Sequence, residues 1–202
     1  MVHIIDECMG RGKSSAMINY VNDRQNSGPF LFVVPYKSEI ERILDACSSR
    51  GFVTPEREDL KLYDLKGYMK DGMNAVCTHK LFTMFDAEVI QLAMDHGYSM
   101  IMDETPTVIN ACQLSPHDSI DIETNYITVD EDDIVHWIVP EYTGAFDGYK
   151  EMAEHSKVFR YGPTCWVNVA NPTLFKVFTE IFVLTYMFSS SLLKCYFDLY
   201  GI

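Results

Sequence analysis

Residues 2–15 read VHIIDECMGRGKSS, and residues 16–23 continue as AMINYVND. The opening VHII is apolar and largely β-branched, as a buried strand requires. The closing stretch carries Ala16, Met17, Tyr20 and Val21 at helical spacing. Between them, Gly10 and Gly12 permit positive φ and close backbone approach, so that consecutive N–H groups can turn inward toward phosphate oxygens. Strand, glycine loop and helix in that order predict a phosphate-binding loop, with the helix adding its partial positive end. Met9, Gly10, Arg11, Gly12, Lys13, Ser14 and Ser15 are expected to surround the phosphates. Lys13 is expected to reach the β- and γ-phosphates, and the Ser14 hydroxyl to ligate Mg2+. The pattern GxxxxGK[ST] is met except at its first position, where Glu7 stands in place of glycine. MGRGKS nevertheless keeps the part that wraps the phosphates.

Some 90 residues further on, SMIMDET (99–105) is an apolar strand ending in adjacent carboxylates. Acids at the carboxyl end of such a strand open into the crevice where α/β folds bind ligands. Asp103 is expected to hold Mg2+ through water, and Glu104 to orient and polarise an attacking water. A strand ending in solvated acids is common by itself. Following a glycine loop, it supplies the second half of one site.

The remaining pattern sets the fold class. VHII, FLFVVP, NAVCTH, YSMIMDE and EIFVLTY are apolar on consecutive positions, as in strands covered on both faces, and they predict five central strands of a mainly parallel sheet. KSSAMINYVND, KSEIERILDAC and residues 86–96, closed by Gly97, are the expected crossover helices. After the DET, about 75 residues precede the last strand, too long for an ordinary connection. Within this insertion of about 105–180, TNYITV and IVHWIV flank DEDD and predict a hairpin with an acidic turn. The second half of YTGAFDGYKEMAEHSKVF suits a short helix. The expectation is one domain, residues 1–202, carrying an embellishment.

Composition narrows the function. Sixteen Lys and Arg against 29 Asp and Glu give a net charge of -13, which disfavours simple coating of a polyanion but leaves room for a local nucleic-acid track. The six cysteines form no CxxC pair and sit mostly among apolar neighbours, so buried reduced thiols and no structural metal are expected. Met1 runs straight into VHIID, leaving no room for a signal peptide. IFVLTYMFSSSLL (181–193) is too short to span a bilayer and reads as a strand running into a helix. A cytoplasmic protein without membrane attachment is expected.

On MGRGKSS and MDET the sequence resembles the first motor lobe of superfamily 2 (DEAD-like) helicases, especially short forms encoded by phages, over most of its length. The resemblance implies a three-layer, RecA-like P-loop NTPase domain that uses ATP and Mg2+ in the host cytoplasm. In it MGRGKSS stands at Walker A and MDET at Walker B. VVPYKSEIERI resembles the Ia segment, VCTHKLF the Ib region, and VLTYMFSSS occupies the place of motif III. By the same resemblance Pro35, Tyr36, Lys37, Thr78 and His79 lie along a nucleic-acid track, and Thr185 and Tyr186 have a sensing role. For His79 a hydrogen-bonded loop histidine is the competing reading, and for Thr185 and Tyr186 simple burial. The chain starts a few residues before the loop and stops soon after the motif III position. Neither an adenine-reading segment nor a second lobe is therefore expected within it, and two readings stay open: a fragment of a longer gene product, or a stand-alone domain that works differently, with a second lobe or protein partner as a candidate addition.

Two other classes remain open: a phage packaging-type P-loop ATPase, and a nucleotide-binding module without turnover that docks on a protein partner through its acidic surface. A small-molecule kinase would want an arginine-bearing lid, and Arg57 and Arg160 stand isolated. No GxSxG elbow supports a hydrolase, and Asp130 to Asp133 lack EF-hand spacing and read as a solvated turn.

Overall fold

The computed structural model describes residues 1–202, apart from the side chain of His155. The elements of the first stretch are β1 (Val2–Asp6), α1 (Lys13–Asn22), β2 (Phe30–Val34), α2 (Lys37–Ala46), α3 (Lys61–Lys70), β3 (Ala75–Thr78), α4 (His79–Phe82), α5 (Ala87–His96) and β4 (Ser99–Asp103). There follow β5 (Ile109–Gln113), α6 (Pro116–Asn125), β6 (Ile127–Val129), β7 (Val135–Trp137), α7 (Asp147–His155), β8 (Lys157–Tyr161) and β9 (Cys165–Val169). The chain ends with β10 (Ile181–Thr185) and α8 (Leu192–Tyr200). It divides into two compact units, Met1–Pro106 with Pro172–Ile202, and Thr107–Asn171.

In the first unit β1, β10, β4, β2 and β3 form a five-stranded sheet in that order, every pairing parallel. This is the α/β fold expected from the five apolar runs. Phe30, Phe32 and Val34 pack in one cluster with Met17, Ile18 and Val21 of α1 and Ile43 of α2. Leu31 and Val33, which alternate with them and so face the other way, are equally buried. Both faces of β2 are thus covered, whereas β1 at the sheet edge is only half-buried. Phe32, fully buried in β2, tests this packing. Phe32→Ala should destabilise the unit by roughly 3–5 kcal/mol, read as a fall in the urea unfolding midpoint followed by circular dichroism.

The crossover helices α1, α2 and α5 fall where the periodicity predicts them. α5 starts at Asp86, whose carboxylate accepts from the Glu88 and Val89 amides, and stops at Gly97, with φ of 65°. IFVLTYMFSSSLL resolves into β10 and the start of α8, joined through Met187 in the left-handed region. Among the described residues no helix is long and apolar enough to cross a membrane.

The second unit contains the expected hairpin: β6 and β7 pair antiparallel. In its acidic turn, Asp130 accepts from the Asp132 and Ile134 amides, and its other carboxylate oxygen lies 2.9 Å from Nε2 of His136. That contact with His136, foremost, holds the Asp130 carboxyl below the usual carboxylate range. The short helix expected within YTGAFDGYKEMAEHSKVF is α7. Two further features were not expected: a three-stranded antiparallel sheet in the order β5, β9, β8, and helix α6, capped by Ser115 with Pro116 in its first turn. The small core gathers Leu114, Ile122, Ile127, Val135, Val158 and Trp166.

One expectation is corrected. Only Cys47 and Cys77 are buried; Cys112 and Cys165 are half-buried, and Cys8 and Cys195 are exposed. Cys8 lies in the glycine loop, and Cys195 falls between the buried Leu193 and Tyr196 on a helix that hides only one face. Apolar neighbours in sequence are not neighbours in space on an amphipathic helix. Among the described residues all six thiols are free.

Candidate functional site

Parallel pairing brings the carboxyl ends of β1, β10 and β4 to one edge, because Asp6 is level with Thr185 and Leu184 with Asp103. The glycine loop leaves β1 and the carboxylates leave β4, one strand apart on either side of β10. At about 4.8 Å per strand, the two ends stand roughly 10 Å apart, enough room for a phosphate chain.

The loop's backbone explains both its glycines and its departure from the full pattern. Gly10 and Gly12 have φ of 77° and 80°, where any side chain would be strained. Glu7 is absent from the positive-φ residues, and its amide donates to Thr185 O at 3.0 Å, extending the strand ladder by one position. A residue that prolongs a strand has no need to be glycine. Gly12 is the cap of α1, no side chain caps that helix, and its first turn contains no acid. Its leading N–H groups therefore face the loop with their positive end unneutralised. The Lys13 ammonium donates to the carbonyls of Glu7 and Cys8, at 2.5 and 3.1 Å, which lays the side chain along the loop.

At the other half of the site the Ser14 hydroxyl donates to Oδ2 of Asp103 at 2.7 Å, joining residues 89 positions apart. Glu104 follows in the left-handed region with φ of 63°, while its amide still donates to Leu184 O at 2.9 Å. A non-glycine residue held there costs on the order of 1 kcal/mol, and such strain gathers at functional sites. The turn it makes ends the strand and leaves Glu104 on the wall of the cleft.

That cleft has a volume of about 630 Å³, within the range of small-molecule sites. It is lined by Met9 to Ser15, Pro35, Tyr36, Glu39, Arg42, Asp103 to Thr105 and Leu184 to Tyr186. All seven loop residues singled out in the sequence are there, together with both carboxylates and with Pro35 and Tyr36. Lys37, Thr78 and His79 do not line it. Lys37 pairs with Glu58 at 3.3 Å, both well exposed. Thr78 caps α4 by accepting from the Leu81 amide. His79 donates from Nε2 to the carbonyl of Asp103 at 2.9 Å and so braces the end of β4, and burial holds its pKa below the usual imidazole value. Thr185 is buried at the end of β10, and Tyr186 is exposed.

Arg42 and Glu39 are cleft residues that sequence reasoning missed. Arg42 Nη2 stands 2.7 Å from Glu39 and 3.6 Å from Oδ2 of Asp103. The available signal was their i, i+3 spacing on α2, in step with Tyr36 at the helix N-cap.

Among the described residues no group of three or more His, Cys, Asp or Glu is placed to hold a metal. Mg2+ makes no such demand, since it binds through one or two protein oxygens and completes its shell with phosphate and water. Ser14 Oγ and Asp103 Oδ2, adjacent on the cleft wall, are oxygen donors of that kind.

No model of a known protein family matches the chain. It is similar to the SPbeta prophage-derived uncharacterized protein YonV of Bacillus subtilis (strain 168), at 28% identity over 214 residues. That match takes in 100% of this chain and 52% of the relative. The chain thus spans about half the length of the curated relative it matches. Among solved structures it aligns with one named XPD_APO at a TM-score of 0.45 and 12% identity, over 91% of this chain and 50% of that one.

Proposed function

We propose that the chain is the ATP-binding and hydrolysing motor lobe of a helicase or nucleic-acid translocase. The observation that carries the nucleotide reading is the Ser14–Asp103 hydrogen bond, which joins a glycine loop and a strand-end carboxylate pair in one cleft. In this reading the amides from Gly10 to Ser15 surround the phosphates, and the Lys13 ammonium leaves the loop carbonyls to pair with the β- and γ-phosphates. Ser14 and Asp103 hold Mg2+, which supplies charge neutralisation between those phosphates. Glu104 accepts a hydrogen bond from water and orients it in line with the terminal phosphate, taking up its proton as the bond to phosphorus forms and the bond from phosphorus to the β–γ bridging oxygen breaks, so that ADP leaves with that electron pair.

Removing the Ser14 hydroxyl should isolate the metal's part. Ser14→Ala should weaken Mg2+-dependent ATP binding by about 10- to 100-fold, the effect of one lost charge-assisted contact, and leave the smaller metal-free binding unchanged. Titration of a fluorescent ATP analogue with and without EDTA measures both.

The motor reading rests on the resemblance of the Ia and Ib stretches and on Tyr36, which is 67% exposed at the cleft rim next to Pro35 and offers a ring for base stacking. Lys37, Thr78 and His79 complete the proposed track, and a second lobe from another segment or chain closes over the nucleotide. The host cytoplasm is the proposed compartment. ATP turnover by the purified chain, with and without single-stranded DNA or RNA, tests the motor. Stimulation by nucleic acid supports it, whereas ATP binding that no nucleic acid affects, in turnover or affinity, replaces the motor with a nucleotide-binding module.

A further inference from the structure

Arg42 is the cation of the cleft that the phosphate loop does not account for. It projects from α2, lines the same cleft as Gly10 to Ser15, and keeps about 38% of its side chain exposed. Two acids share it unequally. Glu39 accepts a hydrogen bond from it at 2.7 Å, while Oδ2 of Asp103 is 3.6 Å away, beyond hydrogen-bond length and within Coulombic reach. That same Oδ2 accepts from the Ser14 hydroxyl. The guanidinium is therefore tethered at the cleft by Glu39 and drawn toward the carboxylate end only by charge.

We propose that Arg42 reads the terminal phosphate, making the cleft prefer a nucleoside triphosphate over the diphosphate. This rests on the nucleotide reading given above. With a divalent cation held by Ser14 and Asp103, the attraction of Asp103 for Arg42 would be cancelled and the guanidinium pushed away by like charge. The guanidinium, still tethered by Glu39, then has one anionic partner within a short swing. With the earlier phosphates along the loop amides and Mg2+ held by Ser14 and Asp103, the terminal phosphate would lie nearest Asp103 and Glu104. A planar fork of N–H donors matches phosphate oxygens, and Arg42 presents one from α2, on the carboxylate side of the cleft, whereas Arg11 presents its own from the loop. In a diphosphate complex Arg42 finds no such oxygen and stays with Glu39.

Arg42→Gln tests this, because it keeps most of the stem and removes the charge. Affinities for Mg·ADP and for a non-hydrolysable Mg·ATP analogue are measured by calorimetry on the parent and on the variant, with no turnover involved. The expected result is a loss of about tenfold or more for the triphosphate with the diphosphate unchanged within about twofold. Diphosphate binding by the variant also shows that it is folded. Equal effects on both nucleotides, or none, overturn the proposal and leave Arg42 as a partner of Glu39 and Asp103 alone. If the parent binds neither nucleotide, the nucleotide reading itself falls and the role of Arg42 falls with it.

Discussion

Lys13→Ala is expected to abolish useful nucleotide binding while leaving the fold intact. The two hydrogen bonds of the Lys13 ammonium go to exposed carbonyls of Glu7 and Cys8 that water can satisfy. Removing it should change stability by no more than about 0.5 kcal/mol. In the complex, the same ammonium makes charge-assisted contacts to two phosphates, each worth about 1.5–3 kcal/mol. Its loss should raise the dissociation constant for Mg·ATP by at least about 100-fold. Parallel thermal melts and ATP titrations separate the two effects. A variant that binds ATP like the parent contradicts the placement of the phosphates.

Glu104→Gln is expected to act in the opposite sense, sparing binding and stopping turnover. Glutamine has nearly the same shape, keeps the backbone amide that donates to Leu184 O, and retains a hydrogen-bonding oxygen, but it takes no proton from water. The rate should fall by about 10²- to 10⁴-fold, the usual contribution of a general base, with ATP affinity within about threefold of the parent. Single-turnover kinetics with labelled ATP measure the rate without interference from product release. Undiminished turnover would show that another group activates the water.

Much of the fold was legible because the central strands have to be apolar on both faces. FLFVV leaves no ambiguity when all five side chains are buried. The site was legible in two halves, since glycines with positive φ and a strand ending in paired acids are local signals. Their meeting through Ser14 and Asp103 is a long-range contact that no local pattern shows. The missed elements have weak local signatures. Helix α3, KLYDLKGYMK, has a glycine inside it and exposes Tyr63 while burying Asp64. Strands β5, β8 and β9 mix apolar side chains with Asn, Gln, Lys and Arg, so they read as connection until paired. Arg42 was passed over because on α2 it looks like one more solvated charge, and only the position of β4 brings Asp103 beside it.

The central claim is that the cleft between the glycine loop and Asp103 binds a magnesium nucleoside triphosphate. Calorimetric titration of ATP into the purified chain, first with Mg2+ and then with EDTA, tests it most directly. The account predicts saturable binding at one site per chain that weakens at least about tenfold when the metal is removed, as the loss of one charge-assisted contact requires. Binding that is absent with Mg2+, or equally strong without it, would contradict the account.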